Sequence, residues 1–232
     1  MADLKNIRHV FFDLDDTLWD FKKNSEVVLK DLFVEFSLAE KLKTDFNIFF
    51  EEYRKTNRQI WSDYYQRTID KAYLRNQRFY LVFKSFDYDN FDESLRISEH
   101  YLALTPKGHF LKDHCIDVLE HLGAKYQLYI ITNGFRDVQD IKLNSTGIRK
   151  YFKHIIISED YDLVKPQKEI FDLAKNLAGA QSAQCLMIGD SLESDVEGAE
   201  RAGWKSILFD ESGTENFSGK KITNLRELKF LL

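Results

Sequence analysis

The 232-residue sequence has few cysteines and prolines, two of each, and it has no long uncharged hydrophobic run. Cys115 and Cys185 stand among core-like residues, and two cysteines are too few for a disulfide scaffold or a cysteine-ligated zinc site. They favour a reducing, cytoplasmic location. The longest apolar stretches, such as YQLYIIT at 126–132, are much shorter than the roughly 20 residues that a membrane-spanning helix needs. We therefore expect no membrane association.

The sequence also has no large excess of charge of one sign. The chain has 33 basic and 38 acidic residues spread along its length, for a net charge of −5. Because there is no basic stripe, we expect no nucleic-acid polymer as a partner. Hydrophobic residues make up 44% of the chain, which is enough to build the core of one large domain or of a core domain with an insertion. A monomer and a homodimer both remain open.

Short apolar runs alternate with amphipathic helical segments in the second half of the chain. The runs are YQLYIIT at 126–132, HIIIS at 154–158, QCLMI at 184–188 and KSILF at 205–209. Strands of a parallel sheet are buried on both faces, so they are nearly continuous in hydrophobic residues. Together with a first strand at 7–12, this pattern predicts an α/β fold with a Rossmann-like parallel sheet flanked by helices.

Residues 20–104 have a different pattern, with apolar residues at helical spacing and few turn-forming residues. No proline occurs before Pro106, so no proline interrupts the helices of this segment. We interpret the segment as a cap of about four helices, like a four-helix bundle, inserted after the first strand. The predicted domains are therefore a core of residues 1–19 and 105–232, and a helical cap of residues 20–104.

The run HVFFDLDDTLWD at 9–20 places Asp13 and Asp15 directly after the first strand. If the backbone stays extended, side chains two residues apart point the same way. Ligands of open α/β sheets bind at the carboxyl ends of the strands, where these two aspartates lie. A simple polar turn would explain this run equally well if it stood alone.

Polar residues follow other predicted strands as well. They are Thr132, Asn133 and Gly134 after one strand, Lys165 after the next, and Asp190 and Asp195 after another. Parallel strands have their carboxyl ends at the same edge of the sheet, so independent turns explain the whole set poorly. We predict that these side chains form one site.

Carboxylates brought together in one cleft cannot all stay ionised without cations. Lys165 supplies one positive charge, and a divalent cation with a preference for oxygen ligands, such as Mg²⁺, would supply the rest. Magnesium held by one or two carboxylates keeps positions free for phosphate oxygens. Thr132 and the backbone N–H groups of Asn133 and Gly134 would donate to the same oxygens. The predicted site therefore suits a phosphoryl group.

Four motifs in this order resemble those of the haloacid dehalogenase superfamily. They are DLDDT at 13–17, Thr132 after a hydrophobic strand, Lys165–Pro166, and GDSLESD at 189–195. The resemblance covers essentially the whole chain. ITNGFRDVQDIKLNSTGIRKYF at 131–152 is similar to the nucleotidase subgroup that dephosphorylates pyrimidine and non-standard nucleoside monophosphates.

The resemblance implies a phosphomonoester hydrolase in which Asp13 is the nucleophile that becomes phosphorylated. Asp15 would be the general acid for the leaving group and then the base for the hydrolytic water. Thr132 and Lys165 would hold the transferring phosphoryl oxygens. An acid at position 15 also argues against a dehalogenase, because a halide leaving group needs no proton.

The same resemblance implies Mg²⁺ as the cofactor. Asp13, Asp190 and the backbone carbonyl of Asp15 would bind the ion. Asp195 would either hold a metal-bound water or orient Lys165.

The substrate is predicted to be a small phosphorylated metabolite, with a nucleoside 5′-monophosphate favoured by the nucleotidase resemblance. A sugar-phosphate phosphatase or a phosphosugar mutase of the same superfamily is the alternative. A third alternative is a binding protein that has kept the fold without catalysis. A protein of that kind would have little need for all of the polar residues at the strand ends.

Overall fold

The computed structural model describes residues 4–232, and its central element is a six-stranded parallel sheet. The strands are β1 (His9–Phe12), β2 (Gln127–Thr132), β3 (His154–Ile157), β4 (Cys185–Gly189), β5 (Lys205–Phe209) and β6 (Lys221–Ile222). The predicted parallel α/β sheet is confirmed. The two residues of β6 were not predicted, because so short a strand produces no recognisable hydrophobic pattern.

The first strand lies in the middle of the sheet, whose order is β3-β2-β1-β4-β5-β6. Val10 is in register with Leu128 of β2 on one side and with Leu186 of β4 on the other. Strand order changes direction between β1 and β4, and ligands of open α/β sheets bind at such a point. The chain therefore places the residues that follow β1 where a ligand site is expected.

Ten α-helices accompany the sheet within residues 4–232. They are α1 (Phe21–Glu35), α2 (Leu38–Leu42), α3 (Phe46–Tyr65), α4 (Lys71–Lys84), α5 (Phe91–Leu104), α6 (Cys115–Gly123), α7 (Arg136–Ser145), α8 (Lys168–Ala178), α9 (Gly198–Arg201) and α10 (Leu228–Leu231). None of the helices in this described range is both long and apolar enough to cross a membrane.

The chain forms two compact units. The sheet unit comprises the residues up to Phe21 together with His109–Leu232, and the helical unit comprises Lys22–Gly108. The predicted divisions, at 19/20 and 104/105, fall a few residues before those of the compact units. The difference at the second division arises because the short 3₁₀ turn Thr105–Lys107 continues directly from α5 and stays with it.

Both faces of the sheet are covered by helices of the sheet unit. Phe12 belongs to an apolar cluster with Val118 of α6, whereas its neighbour Phe11 belongs to a second cluster with Phe171 of α8. Successive side chains of a strand point to opposite faces, so each face of β1 has its own apolar layer. All of these side chains are fully buried. This double burial explains why β1 has no alternation of polar and apolar residues.

The helical unit is built on aromatic packing. Phe49 and Tyr53 of α3, Phe79 of α4 and Tyr101 of α5 form one buried cluster with Leu29 of α1. These residues recur at helical spacing, so each helix has one apolar face that the others cover. The prediction of about four helices corresponds to four long helices and the short α2 among the described residues.

Candidate active site

The carboxyl ends of β1, β2 and β4 lie side by side in the middle of one sheet edge. The ladder extends one residue beyond β1, because the backbone N–H of Asp13 donates to Ile188 O at 2.9 Å. Thr132 is the last residue of β2, and Asp190 follows β4 directly. The predicted convergence of polar residues from separate strands is therefore present in the structure.

Lys165 lies between two carboxylates. Its Nζ is 2.6 Å from Asp13 Oδ1 and 2.6 Å from Asp195 Oδ1, and all three side chains are buried. Burial disfavours the charged ammonium, but the two carboxylates more than offset this effect and raise the pKa of Lys165 above its ordinary value. A charged lysine is therefore held directly against the predicted nucleophile.

The carboxylates of Asp13, Asp190 and Asp195 form a cluster in which one oxygen of each lies within 4.8 Å of the others. Burial raises the pKa of Asp13 to about 7, with Lys165 opposing the rise and Asp195 adding to it. Desolvation and the charges of Asp13 and Asp195 also raise the pKa of Asp190 well above its ordinary value. Because Asp190 is exposed, we attribute its shift mainly to the crowding of charges. One lysine does not neutralise three carboxylates, so the cluster favours binding of a further cation.

Asp195 reaches the cluster from a single π-helical turn, Leu192–Glu197. Ser191 caps this turn by accepting from Ser194 N at 3.1 Å, and its own N–H donates to Asp195 Oδ2 at 3.1 Å. Position 189 has to be glycine, because a Cβ there would lie 2.2 Å from Asp195 Oδ2. The glycine of the predicted GDSLESD motif therefore makes room for its last aspartate.

Thr132, the last residue of β2, and Asn133, the first residue after it, differ in where their side chains form hydrogen bonds. Thr132 is buried at the edge of the sheet, and its Oγ1 accepts from Gly134 N at 3.2 Å. The Asn133 side chain turns inward, where it bonds to the backbone of Lys165 and accepts from Ser158 Oγ at 2.7 Å. Sequence reasoning considered only the backbone N–H of Asn133, and it missed this structural role of the side chain.

The Asp15 carboxylate is not one of the three clustered carboxylates and has its own donors. Its Oδ1 accepts from Lys142 Nζ at 2.6 Å and its Oδ2 from Gln139 Nε2 at 2.8 Å. Sequence reasoning missed both donors, although they stand with Leu143 on the buried face of α7. Two polar residues on the buried face of a helix are the signal that could have identified them.

Comparisons with known proteins agree with this geometry. Residues 7–203 match the family model of the haloacid dehalogenase-like hydrolases. The chain is 31% identical over 211 residues to the pyrimidine 5′-nucleotidase PynA of Streptococcus pneumoniae, covering 90% of this chain and 86% of PynA. It is 29% identical over 228 residues to the pyrimidine 5′-nucleotidase YjjG of Escherichia coli, covering 96% of each protein.

A solved structure is also similar over the whole chain. It is that of the HAD-hydrolase YfnB from Bacillus subtilis bound to magnesium, which shares 28% identity with a TM-score of 0.88. The match covers 98% of this chain and 99% of YfnB. Similarity of this extent includes both the sheet and the helical segment.

Proposed function

Because the chain belongs to the haloacid dehalogenase-like hydrolases, we propose that it is a Mg²⁺-dependent phosphomonoesterase that forms an aspartyl phosphate on Asp13. The observation that carries this proposal is the contact between Asp13 and Lys165 beside the carboxylates of Asp190 and Asp195. A phosphate ester needs a nucleophile, positive charge around its oxygens and a proton for its leaving group. The residues at this sheet edge can supply the first two, and Asp15 can supply the third.

The donor set of the cluster fits magnesium, because it consists of carboxylate oxygens without sulfur or imidazole. We propose that Asp13 and Asp190 hold the ion together with the backbone carbonyl of Asp15. When bound, the ion neutralises negative charge on the carboxylates and on the phosphate oxygens. Both oxygens of Asp195 already accept hydrogen bonds, from Lys165 and from Ser191 N, which favours an orienting role for this residue.

The first half-reaction transfers the phosphoryl group to the protein. One oxygen of the Asp13 carboxylate attacks phosphorus, and the bond from phosphorus to the ester oxygen breaks with its electron pair moving to that oxygen. Asp15, protonated at this stage, donates its proton to the leaving oxygen, so that an alcohol departs. Lys165 and Thr132 hold the oxygens of the group in transfer.

The second half-reaction returns the protein to its starting state. The oxygen of a water attacks the phosphorus of the aspartyl phosphate while Asp15 accepts a proton from that water. The bond from phosphorus to the Asp13 oxygen breaks, and its electron pair stays on the carboxylate. Inorganic phosphate is released, and Asp15 is again protonated for the next cycle.

The similarity to PynA and YjjG supports a nucleoside 5′-monophosphate as the substrate, with a pyrimidine base favoured. Such a substrate is a small metabolite with an alkoxide leaving group, which needs protonation to depart. The requirement agrees with the presence of a carboxyl group at position 15. A sugar phosphate has the same kind of leaving group and is the alternative that the experiment has to separate.

The test is a substrate panel with purified protein. Release of inorganic phosphate is measured for pyrimidine and purine nucleoside 5′-monophosphates and for hexose phosphates, with Mg²⁺ and with EDTA. We expect the highest kcat/KM with a pyrimidine nucleotide, and loss of activity in EDTA and in Asp13→Asn. Asp113→Asn changes an exposed aspartate and serves as the matched control.

Two results would count against the proposal. Full activity of Asp13→Asn would exclude the aspartyl phosphate. A kcat/KM for hexose phosphates more than about tenfold above that for every nucleotide would replace the nucleotidase assignment by the sugar-phosphatase one.

A further inference from the structure

Both oxygens of the Asp15 carboxylate are held by donors from one helix. Lys142 Nζ and Gln139 Nε2 lie three residues apart on the same face of α7, at 2.6 and 2.8 Å from the two oxygens. The side chain of Asp15 is 30% exposed, whereas that of Lys142 is 5% exposed and Gln139 is fully buried. An accessible carboxyl group is therefore held from behind by two donors that are themselves shielded from water.

Lys142 is fixed on its other side by aromatic rings. Its Nζ lies 4.5 Å from the ring centroid of Trp19 and 5.8 Å from that of Phe21. An ammonium group over an aromatic face is attracted by the ring quadrupole, and the attraction strengthens when water is excluded. The rings limit the freedom of the long lysine side chain, which would otherwise weaken its hold on Asp15.

Gln139 connects Asp15 to Thr132. Its Nε2 carries two hydrogens and donates both, to Asp15 Oδ2 and to Thr132 Oγ1 at 2.7 Å. Its Oε1 is buried without a hydrogen-bond partner in the described structure. The opposite orientation of the amide would turn Oε1 toward a carboxylate, so the hydrogen bonds assign Nε2 to this side. The fold thus tolerates a buried unpaired acceptor, which is usually costly, to keep the amide in this place.

The same amide determines how the Thr132 hydroxyl can be used. Thr132 Oγ1 accepts from Gln139 Nε2 and from Gly134 N at 3.2 Å. A hydroxyl oxygen has two lone pairs, so both are engaged and the hydroxyl hydrogen is left for donation to another oxygen. A Cβ at position 134 would lie 2.1 Å from Gln139 Nε2, so glycine at 134 is what admits the amide.

We propose that Gln139 and Lys142 are positioning residues that orient the Asp15 carboxyl group for proton transfer, and that Gln139 also directs the Thr132 hydroxyl toward the phosphoryl oxygens. This inference rests on the proposed function, because it assigns the two residues to the proton-transfer step of that reaction. Neither residue contacts the reacting atoms in this assignment. Both act through the residue that they hold.

The leaving group provides the test. A nucleoside 5′-monophosphate loses an alkoxide that needs a proton, whereas p-nitrophenyl phosphate loses a stable phenolate that needs little help. Weakened positioning of Asp15 should therefore lower kcat/KM for the nucleotide much more than for the aryl ester. General acid catalysis contributes about 10² to 10⁴ in rate. We therefore expect Lys142→Met to reduce the ratio of kcat/KM for the nucleotide to kcat/KM for the aryl ester by about tenfold or more.

Three further variants separate positioning from folding. Gln139→Met keeps the volume of the side chain and should change the ratio in the same direction, and it remains available if Lys142→Met does not fold. Lys142→Arg keeps the charge and should recover part of the ratio. Lys150→Met is the control, because Lys150 also lies over an aromatic ring, 5.1 Å from the centroid of Tyr151, but is exposed. It should leave kcat/KM for both substrates unchanged.

A double mutant shows whether the effect passes through Asp15. In an Asp15→Asn background, Lys142→Met should have no further effect on the ratio, because residues that act as a unit are not additive. The proposal is overturned if Lys142→Met lowers kcat/KM for both substrates equally, or if its effect on the ratio persists in Asp15→Asn. Activity of the wild-type protein on the nucleotide tests the proposed function separately, so the two failures are distinguishable.

Discussion

The side chain of Asn133 binds both backbone polar groups of Lys165. Its Nδ2 donates to Lys165 O at 3.0 Å, and its Oδ1 accepts from Lys165 N at 2.9 Å. All of these groups are buried, so water cannot replace the hydrogen bonds. The loop after β2 therefore fixes the position from which the lysine reaches Asp13.

Asn133→Ala is expected to destabilise the protein by about 2–3 kcal/mol, because it leaves the buried backbone of Lys165 and the hydroxyl of Ser158 without partners. Phosphatase activity should fall as well, since Lys165 would lose its fixed position. Ser158→Ala removes one of the three hydrogen bonds and is the control, with an expected loss of about 1 kcal/mol. Urea unfolding measures both, and equal stability of the two variants would contradict this role of Asn133.

Removal of Lys165 leaves two buried carboxylates without their counter-charge. We expect Lys165→Met to destabilise the protein by about 3–5 kcal/mol when measured in EDTA, and we expect Asp195→Asn in the same chain to restore part of the loss. The sum of the two single effects should exceed the double-mutant effect by about 1 kcal/mol or more. Additive effects in the double-mutant cycle would show that the two charges do not interact strongly.

Gly189 and Gly123 offer a matched pair of glycine substitutions. A Cβ at position 189 would lie 2.2 Å from Asp195 Oδ2, whereas at position 123 the nearest atom is Leu128 Cδ1 at 3.7 Å. Gly189→Ala should therefore cost about 1–3 kcal/mol and displace Asp195, with loss of activity. Gly123→Ala should leave stability unchanged or slightly higher. Thermal unfolding would contradict the argument if both variants melted at the wild-type temperature.

Asp210 predicts a dependence of stability on pH. Burial would raise its pKa, but the Ser212 hydroxyl, the Glu215 N–H and Lys221 hold the pKa at about 2, below the ordinary value of 3.8. A carboxyl group whose pKa is lower in the folded state stabilises the fold above its unfolded pKa. This contribution is therefore lost as the pH falls from about 4 to about 2.

Asp210→Asn should accordingly reduce the free energy of unfolding at neutral pH by about 1–2 kcal/mol. Between pH 4 and 2, the decrease in the free energy of unfolding should be smaller than in the wild-type protein by about the same amount. The measurement is the free energy of unfolding in urea at a series of pH values. Asp113→Asn, at an exposed position, is the control. If Asp210→Asn lost as much stability between pH 4 and 2 as the wild-type protein, Asp210 would not be the source of this loss.

The fold and much of the candidate site could be predicted because they depend on local pattern and topology. Continuous apolar runs identify buried parallel strands, and parallel strands have their carboxyl ends at one edge. Once the strands were located, the polar residues at their ends were placed in one site without any knowledge of packing. This reasoning found Asp13, Lys165, Asp190 and Asp195, whose carboxylates and ammonium lie together in the structure.

The sequence by itself therefore determined the sheet, the edge at which the site lies and the chemical types that meet there. Only the tertiary structure decided which of these residues form hydrogen bonds with each other. Asp15 and Lys142 are 127 residues apart, and their contact depends on the rotation of α7 about its axis, which no strand pattern specifies. The same is true of Asn133 and Lys165, 32 residues apart. Such pairings are set by packing over the whole sheet unit, so they follow from the folded core rather than from local sequence.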